Sequence, residues 1–443
     1  MSSKGALLPF RTLSRLSWAY AFFIVYGSLV PFEYRAATWD QALHQFAHIQ
    51  WLDIDLESRA DWVANLVLYV PFGFLANGAL CKRSAVLGAL LAAILGSVLA
   101  VGVEFAQIWA APRTVSLNDI LAEMVGTYLG IALWLMWGKR LVRTTQTVLA
   151  GGPDAVGAAL ALYVLAYSFI SLFPFDFFVD AAEFHARLAD PTAIVWIPQR
   201  FESLRGLLYL IVKGAIMMPI GAAMKLVWHR GTLSAALAGL AISGTLELAH
   251  WLEYSAQTDG ISVLVSVVGA VAGNWLASLA TLREVFVVRS LRACAWLAAP
   301  LYLVLLPLVF GWHRGLASRA DIDATLSQLH WLPFYYHYFT SEANALASVM
   351  GTCFIFAPVG ALIWAARLRP SEAAGSPRSV LPSVRAGLVV STAFEVGGLL
   401  TSNDRPDPTN VLIAIAAAVF AQRGCEWLAR VVKTAVTREA VPA

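Results

Sequence analysis

The sequence has little charge for its length. Only 13% of its 443 residues are Asp, Glu, Lys or Arg, whereas 59% are hydrophobic. Soluble proteins carry about a quarter charged residues, and no soluble core could hide this much apolar surface. The composition therefore excludes an ordinary soluble protein and indicates one whose solvent is lipid. The formal net charge of +3 is too small to indicate a nucleic-acid partner, and none is expected.

Cysteine is also scarce, and the common cofactor motifs are missing. The four cysteines are scattered without a CxxC pair, so we expect neither a disulfide framework nor a cysteine metal site. No His, Asp and Glu spacing matches a zinc site, and there is no GxSxG, P-loop or dinucleotide fingerprint. We expect no metal and no cofactor. The sequence names no catalytic residue, which favours a non-enzymatic protein without excluding an enzyme.

Long apolar runs are abundant instead. A helix needs roughly 20 apolar residues to cross a bilayer. The runs predict an all-α fold, a polytopic membrane helical bundle of about twelve transmembrane helices. The predicted spans are residues 16–32, 61–80, 85–109, 117–138, 155–173, 204–228, 233–254, 261–282, 293–310, 343–366, 380–400 and 409–429. Residues 37–52, between the first two spans, have the pattern of a short amphipathic helix at the membrane interface.

The spans form three sets of four that resemble one another. Each set has a Pro-x-Gly motif late in its second span and a glutamate late in its third span. The matching residues are Pro71 and Gly73, Pro219 and Gly221, Pro358 and Gly360, and the glutamates Glu104, Glu247 and Glu395. A repeat of this length indicates several copies of one unit. We predict three units, residues 1–150, 151–290 and 291–443.

Basic residues cluster on one side of the predicted membrane. They occupy the N-terminus, the loops that follow even-numbered spans and the C-terminus, and Lys139, Arg140 and Arg143 are examples. The opposite loops are longer and acidic. Short basic loops stay in the cytoplasm. The pattern therefore predicts that both termini are cytoplasmic and that Glu104 and Arg113 lie near the outer membrane face.

The first set carries a full series of polar residues, which the other two sets do not keep. The series is Asp61, Asn65, Glu104, Gln107, Arg113 and Asp119. Polar side chains in membrane helices are costly, so they face the protein interior and mark functional sites. One interpretation is a buried polar clamp, in which Arg113 neutralises Glu104 or Asp119. The other is a ligand-binding site, in which Arg113 grips the phosphate or carboxylate of a headgroup. Both can hold at once.

The second set has a lysine and a glutamate at comparable membrane depth. Lys213 takes the position of Asn65, and Glu247 takes that of Glu104. A lysine inside the membrane needs a partner. We therefore predict a buried structural ion pair between Lys213 and Glu247, with a proton-linked transport site as the alternative.

The polar series also has a family pattern. D-x3-N-x5-P-F-G, then E-x2-Q, an arginine and D-x6-G, resembles the VanZ-like family of bacterial membrane proteins. The matching residues are Asp61, Asn65, Pro71, Gly73, Glu104, Gln107, Arg113, Asp119 and Gly126. At Glu123 this chain departs from the asparagine that is usual in the family. The match is specific over residues 59–137 and weak over 155–282 and 343–429, which makes the second and third units degenerate copies.

The resemblance implies a multi-pass protein of the bacterial cytoplasmic (inner) membrane. The family's namesake is associated with low-level resistance to the glycopeptide teicoplanin. We accordingly favour a protein that binds a lipid-linked wall or polysaccharide intermediate at the outer polar site, with membrane lipids as further partners. The site residues under this hypothesis are the six of the polar series.

Two other classes of function stay open. A transporter or flippase of a lipid or small solute fits the twelve spans, but the three sets share one orientation and lack the inverted symmetry of many carriers. A membrane-embedded transferase or hydrolase could use Glu104 or Asp119 as a general base. That class lacks an evident nucleophile or metal set.

Overall fold

A computed structural model of the protein describes residues 10–51, 56–81, 84–111, 113–151, 154–178, 180–197, 204–254, 256–279, 284–309, 312, 315–369, 376–401 and 405–439. The chain divides into two compact units. The first unit comprises Met1–Leu149, Phe173–Asp176 and Phe334–Asn344, and the second comprises Ala150–Leu172, Phe177–Pro333 and Ala345–Ala443. The predicted division into three units stays a prediction.

Helices account for most of the described residues. In chain order they are α1 (Phe10–Leu29), α2 (Trp39–Ala47), α3 (Leu56–Leu80), α4 (Ala85–Gln107), α5 (Leu117–Leu133), α6 (Lys139–Ala150), α7 (Ala155–Ser171), α8 (Ala181–Ala189), α9 (Leu204–Leu226), α10 (Thr232–Trp251), α11 (Gly260–Ser278), α12 (Glu284–Val309), α13 (Arg319–Ser327), α14 (Tyr335–Tyr338), α15 (Glu342–Ala366), α16 (Leu381–Leu400) and α17 (Pro408–Glu439). A π-helical segment, Trp134–Gly138, joins α5 to α6. Two short strands, β1 (Ile194–Val195) and β2 (Thr258–Asp259), pair in parallel.

The predicted fold class is confirmed, because the protein is an all-α membrane helical bundle. Within the described residues, ten helices are long and apolar enough to cross a membrane. The predicted first and fifth spans are also helical, as α1 and α7, but they lie outside these ten, and α7 has only 17 residues. The predicted number of twelve spans is therefore approximate.

Several helices extend beyond the predicted spans at their basic ends. α5 continues through the π-helical segment and α6 to Ala150, α12 begins at Glu284, and α17 runs on to Glu439. Hydropathy delimits the apolar part of a helix, whereas backbone hydrogen bonding continues into polar sequence. The predicted span ends at residues 282 and 310 lie outside the described residues.

The helix faces are sorted as expected for a bundle in lipid. On α4, Leu90 and Ile94 are exposed, whereas Ala100 and Glu104 are buried against the rest of the first unit. Apolar side chains thus face outward, and the polar carboxyl group faces inward. This arrangement is typical of membrane helices, in which a polar side chain is turned away from lipid.

The predicted amphipathic segment contains α2, which begins with a capping box at Thr38. The rings of Trp39 and Phe46 lie 6.0 and 5.2 Å from the ring of Phe105, in the last turns of α4. Aromatic residues with one apolar and one polar side suit a membrane interface. α2 therefore packs over the end of α4 that carries Glu104.

A hydrogen bond from a tyrosine hydroxyl to a backbone carbonyl recurs beside these three helical prolines. Pro71, Pro219 and Pro358 lie inside α3, α9 and α15. Each proline removes one helical hydrogen bond. A tyrosine hydroxyl from a preceding helix donates to the carbonyl three residues before the proline in each case. These bonds are Tyr20 to Leu68 at 3.0 Å, Tyr163 to Ile216 at 2.6 Å and Tyr302 to Ile355 at 2.5 Å.

Glycines bring α3 and α5 close together in the first unit. A Cβ atom on Gly126 would collide with the carbonyl of Leu66, and one on Gly73 would collide with the carbonyl of Thr127. Small residues permit such close approach between membrane helices. This contact sets the register in which polar side chains of α3 meet those of α5.

Candidate functional site

Glu104 lies at the end of α4 and is 1% exposed. Its Oε1 atom accepts a hydrogen bond of 2.6 Å from the backbone N–H of Ser116. Ser116 is the N-cap residue of α5, and its Oγ accepts from the backbone N–H of Asp119 at 3.2 Å. Glu104 thus holds the residue that starts the next helix. Such a bond satisfies a backbone donor that helix geometry leaves unpaired.

Asp119 joins this cap to α3. Its Oδ2 accepts from the Ser116 hydroxyl at 2.7 Å, and its Oδ1 accepts from Asn65 Nδ2 at 2.8 Å. The structure therefore brings together Asn65, Asp119, Ser116 and Glu104 in one hydrogen-bonded chain that crosses three helices. Asp61 lies one helical turn before Asn65 on α3, and its side chain is exposed.

Gln107 and Arg113 attach the end of α1 to the same region. Gln107 Nε2 donates to the carbonyl of Ser28 at 3.1 Å. Arg113 Nη2 donates to the carbonyls of Gly27 and Val30 at 3.0 and 3.3 Å. A cation is favourable beside the carbonyls at a helix C-terminus. Both side chains therefore contribute to the clamp interpretation.

Arg113 also meets an aromatic ring and a carboxylate. Its guanidinium carbon lies 4.3 Å above the centre of the Tyr338 ring, a cation–π contact. Its charge interacts electrostatically with Glu104. Backbone carbonyls, an aromatic ring and a carboxylate thus hold the positive charge of Arg113 at the rim of the polar chain.

A second polar pair lies one turn deeper in the same two helices; sequence reasoning noted Glu123 but missed its partner Tyr69. Tyr69 follows Asn65 by four residues on α3, and Glu123 follows Asp119 by four on α5, so each shares a helix face with its predecessor. The Tyr69 hydroxyl and the Glu123 carboxyl group lie next to each other. We call them the Tyr69–Glu123 pair. The four-residue spacing was the signal that could have revealed it.

The Tyr69–Glu123 pair is deeply buried and incompletely hydrogen-bonded. Tyr69 is 0% exposed and Glu123 is 3% exposed. Among the described residues, the Tyr69 hydroxyl and Glu123 Oε2 have no hydrogen-bond partner other than each other. Glu123 also interacts electrostatically with Glu104 and Asp119. A buried polar atom that lacks a partner is unfavourable by roughly 1–3 kcal/mol, so a ligand that bonded to this pair would add hydrogen bonds that the pair now lacks.

In the second unit, Lys213 and Glu247 lie at hydrogen-bond distance. Lys213 Nζ is 2.8 Å from Glu247 Oε1, and both residues are buried. Glu247 Oε2 lies 3.7 Å from His250 Nδ1 and accepts from the backbone N–H of Asp259 at 3.3 Å. Asp259 is the N-cap residue of α11. Glu247 therefore combines the ion pair with the same capping role that Glu104 has.

Glu395 repeats that role before α17. Its Oε2 accepts from the backbone N–H of Asp407 at 2.8 Å, and its Oε1 accepts from Asn410 Nδ2 at 3.0 Å. In all three cases the bonded N–H lies 12 residues after the glutamate. We call this bond the glutamate clamp. Among the described residues, no group of three or more His, Cys, Asp or Glu side chains is placed to hold a metal ion.

Comparison with known families covers the part of the chain that contains the polar chain and the Tyr69–Glu123 pair. A family model described as VanZ/LLP1 matches residues 6–138. Residues 6–138 are thus similar to this family, and we call them the VanZ-like region. No curated protein and no solved structure matches the chain. With its apolar spanning helices, the protein is thus a multi-pass membrane protein that contains a VanZ-like region over residues 6–138.

Proposed function

We propose that the VanZ-like region binds the polar headgroup of a lipid-linked cell-envelope intermediate at the predicted outer ends of α3, α4 and α5. The observation that carries this proposal is the Tyr69–Glu123 pair, whose buried hydroxyl and carboxyl oxygen have no hydrogen-bond partner other than each other among the described residues. The hydroxyl and amide groups of a saccharide headgroup can supply further partners. A wall precursor as the ligand would connect this binding to glycopeptide susceptibility.

The hydrogen-bonded chain above the pair supports the proposal. Asn65, Asp119 and Ser116 hold one another at 2.7–2.8 Å, which fixes the rotamers that surround the pair. A site whose supporting side chains are already fixed binds with less loss of conformational freedom. The glutamate clamp thus serves as scaffold, and the pair serves as the recognition element.

Charge at the rim favours an anionic linkage. Arg113 lies beside Glu104 and on the ring of Tyr338, where its positive charge attracts a diphosphate. The apolar tail of a polyprenyl carrier would lie against the exposed aliphatic faces of the helices, such as Leu90 and Ile94 of α4. The predicted ligand is therefore a polyprenyl diphosphate that carries a saccharide.

A transporter or flippase is the second candidate. The helical prolines favour it, because a proline weakens helix hydrogen bonding where a moving helix would bend. The third class, a transferase or hydrolase, gains less support. Glu104 and Asp119, its candidate bases, already accept hydrogen bonds from Ser116.

The test is a binding measurement with the purified full-length chain in lipid nanodiscs. The probes are a polyprenyl diphosphate-linked disaccharide, the polyprenyl monophosphate and phosphatidylcholine. We expect saturable binding of the disaccharide lipid, and about tenfold weaker binding after Tyr69→Phe, because one hydrogen bond to the ligand is lost. Tyr163→Phe is the matched control, since that hydroxyl donates to a backbone carbonyl in the second unit. Equal affinity of wild type and Tyr69→Phe would contradict the proposal.

A further inference from the structure

A segment from the C-terminal half of the chain belongs to the first compact unit. Phe334–Asn344 follows α13 in the sequence and ends in the first turn of α15, yet it is grouped with Met1–Leu149. Five of its residues are Phe or Tyr, and it includes the single helical turn α14. We call Phe334–Asn344 the aromatic segment. It brings to the first unit residues that lie far beyond the VanZ-like region in the sequence.

Two tyrosines of α14 hold the aromatic segment at the rim of the polar chain. The Tyr335 hydroxyl donates to Glu33 Oε1 at 3.2 Å, and the centre of the Tyr338 ring lies 4.3 Å from the guanidinium carbon of Arg113. The two tyrosines are three residues apart, so they project from the same side of the turn. The aromatic segment thus bridges the stretch after α1 and the loop between α4 and α5.

Glu33 and Arg113 stand on segments that backbone hydrogen bonds join. The N–H of Ala111 donates to the carbonyl of Glu33 at 2.7 Å, and the N–H of Arg35 donates to the carbonyl of Trp109 at 2.8 Å. The Arg113 guanidinium adds bonds to carbonyls at the end of α1. These segments form a base at the predicted outer ends of α1 and α4, and the aromatic segment contacts that base through its side chains.

The Tyr69–Glu123 pair is closed off from solvent in this structure. Tyr69 is 0% exposed and Glu123 is 3% exposed. A ligand that bonds to the pair therefore reaches it only after part of the surroundings moves. The α3–α5 contact is tightly packed, because a Cβ atom on Gly126 would collide with the backbone of α3. We therefore look for the moving part at the rim.

The aromatic segment is suited to such a movement. A single helical turn has little stability of its own, because the cost of starting a helix is offset only over several turns. Its conformation thus depends on its contacts with the base. The N-cap residue Phe334 has a left-handed backbone with φ 64°, which is uncommon for an aromatic residue. Surrounding contacts must hold such a conformation, and their loss would release its strain.

We propose that the aromatic segment is a lid over the VanZ-like site, closed in this structure and opened before the ligand enters. In the closed state, the ring of Tyr338 covers one face of the Arg113 guanidinium. Opening exposes that face of the cation, which attracts the anionic linkage of the ligand. The identity of the ligand rests on the function proposed above, whereas the opening of the lid is measured without any ligand.

The first test measures how often solvent reaches the buried pair. In a full-length chain without native cysteines, in lipid nanodiscs, Glu123→Cys reacts with a charged methanethiosulfonate reagent, and mass spectrometry follows the rate. Tyr335→Phe with Tyr338→Leu removes the hydrogen bond and the ring. We expect about 25-fold faster labelling, because each contact contributes roughly fivefold to closure. Tyr338→Phe alone keeps a ring at Arg113 and should label like the starting chain.

Ser266→Cys is the matched reporter in the second unit. Ser266 is fully buried and lies 19 residues after Glu247, as Glu123 lies 19 residues after Glu104. Its labelling rate should not change when the two tyrosines are replaced. An unchanged rate at Glu123→Cys would overturn the lid. An equal increase at both reporters would show general loosening of the protein and would overturn it as well.

A second test locks the lid and covers the case in which the tyrosine variant fails to fold. Glu33→Cys and Tyr335→Cys, in the same cysteine-free chain, are joined by a bifunctional thiol reagent with a reducible spacer. Binding of the polyprenyl diphosphate-linked disaccharide should be lost on crosslinking and recovered on reduction. Binding that the crosslink leaves unchanged would contradict the lid. Absence of binding in every state would contradict the proposed function, and the labelling rates would still decide about the lid.

Discussion

The VanZ-like region and the second unit both contain the glutamate clamp, but the side chain on the neighbouring helix differs between them. In the VanZ-like region, Asn65 donates to Asp119, and Glu104 accepts from the backbone N–H of the N-cap residue Ser116. In the second unit, Lys213 pairs directly with Glu247. The clamp itself is thus a structural element common to both, and the neighbouring positions carry the differences.

The clearest difference lies one turn deeper. Tyr69 lies two residues before the proline of its helix, and Glu123 lies 19 residues after Glu104. In the second unit, the same offsets from the other two prolines and clamp glutamates lead to two pairs of counterparts, Met217 with Ser266 and Phe356 with Ala414. All four counterparts are almost fully buried. Where the second unit packs mainly apolar or small side chains, the VanZ-like region buries a phenol and a carboxyl group. This comparison separates the scaffold, which recurs, from the Tyr69–Glu123 pair, which does not.

The largest expected effect concerns the ion pair. Lys213→Met should lower the free energy of unfolding by roughly 3–5 kcal/mol, because it leaves Glu247 buried and uncompensated. Adding Glu247→Gln should recover most of that loss, since the amide oxygen can still accept from Asp259. Equilibrium unfolding in mixed micelles measures both. Equal damage from the single and double variants would argue for a functional lysine.

The next effect tests whether the clamp is shared scaffold. Glu104→Ala should destabilise the chain by about 2 kcal/mol, because the buried N–H of Ser116 loses its acceptor. Glu395→Ala should cost at least as much, since Glu395 accepts from both Asp407 and Asn410. Glu104→Gln keeps an acceptor and should cost less than about 1 kcal/mol. A neutral Glu395→Ala would restrict the clamp to the VanZ-like region.

A smaller effect of opposite sign is expected at Glu123. Glu123→Gln should stabilise the chain by about 1 kcal/mol, because it removes a buried carboxyl group beside Glu104 and Asp119. The same unfolding assay measures it, with Ser266→Ala as the counterpart in the second unit. A marked loss of stability would indicate that Glu123 is a structural member of the clamp.

The last prediction should leave stability unchanged and concerns orientation. In a background without native cysteines, Ala111→Cys should react with a membrane-impermeant thiol reagent on intact cells, and Arg140→Cys should not. Both positions are exposed. Ala111 lies in the loop between α4 and α5, whereas Arg140 lies in α6, at the other end of α5. Labelling of Arg140→Cys alone would reverse the predicted topology and place the VanZ-like site on the cytoplasmic side.

The sequence predicted the helices of this fold well because apolar runs of spanning length have few alternatives. It also predicted that Lys213 and Glu247 lie at a similar depth in the membrane, because each occupies a fixed position in the repeated pattern of spans. It could not show that Glu104 would bond to the backbone of Ser116, because that depends on the loop between α4 and α5. Nor could it show that Arg113 would reach the carbonyls of Gly27 and Val30 at the end of α1, more than 80 residues away.

The account's central claim is that the Tyr69–Glu123 pair recognises the ligand, whereas the glutamate clamp only supports it. The direct measurement is binding of the polyprenyl diphosphate-linked disaccharide to a variant with Tyr69→Met and Glu123→Ser, which places the second unit's residues in the VanZ-like region. Ser116 and Glu104 stay unchanged. We predict a folded protein of wild-type or higher stability whose affinity falls by at least about tenfold. A folded variant that binds the disaccharide lipid as tightly as the wild type would contradict the claim.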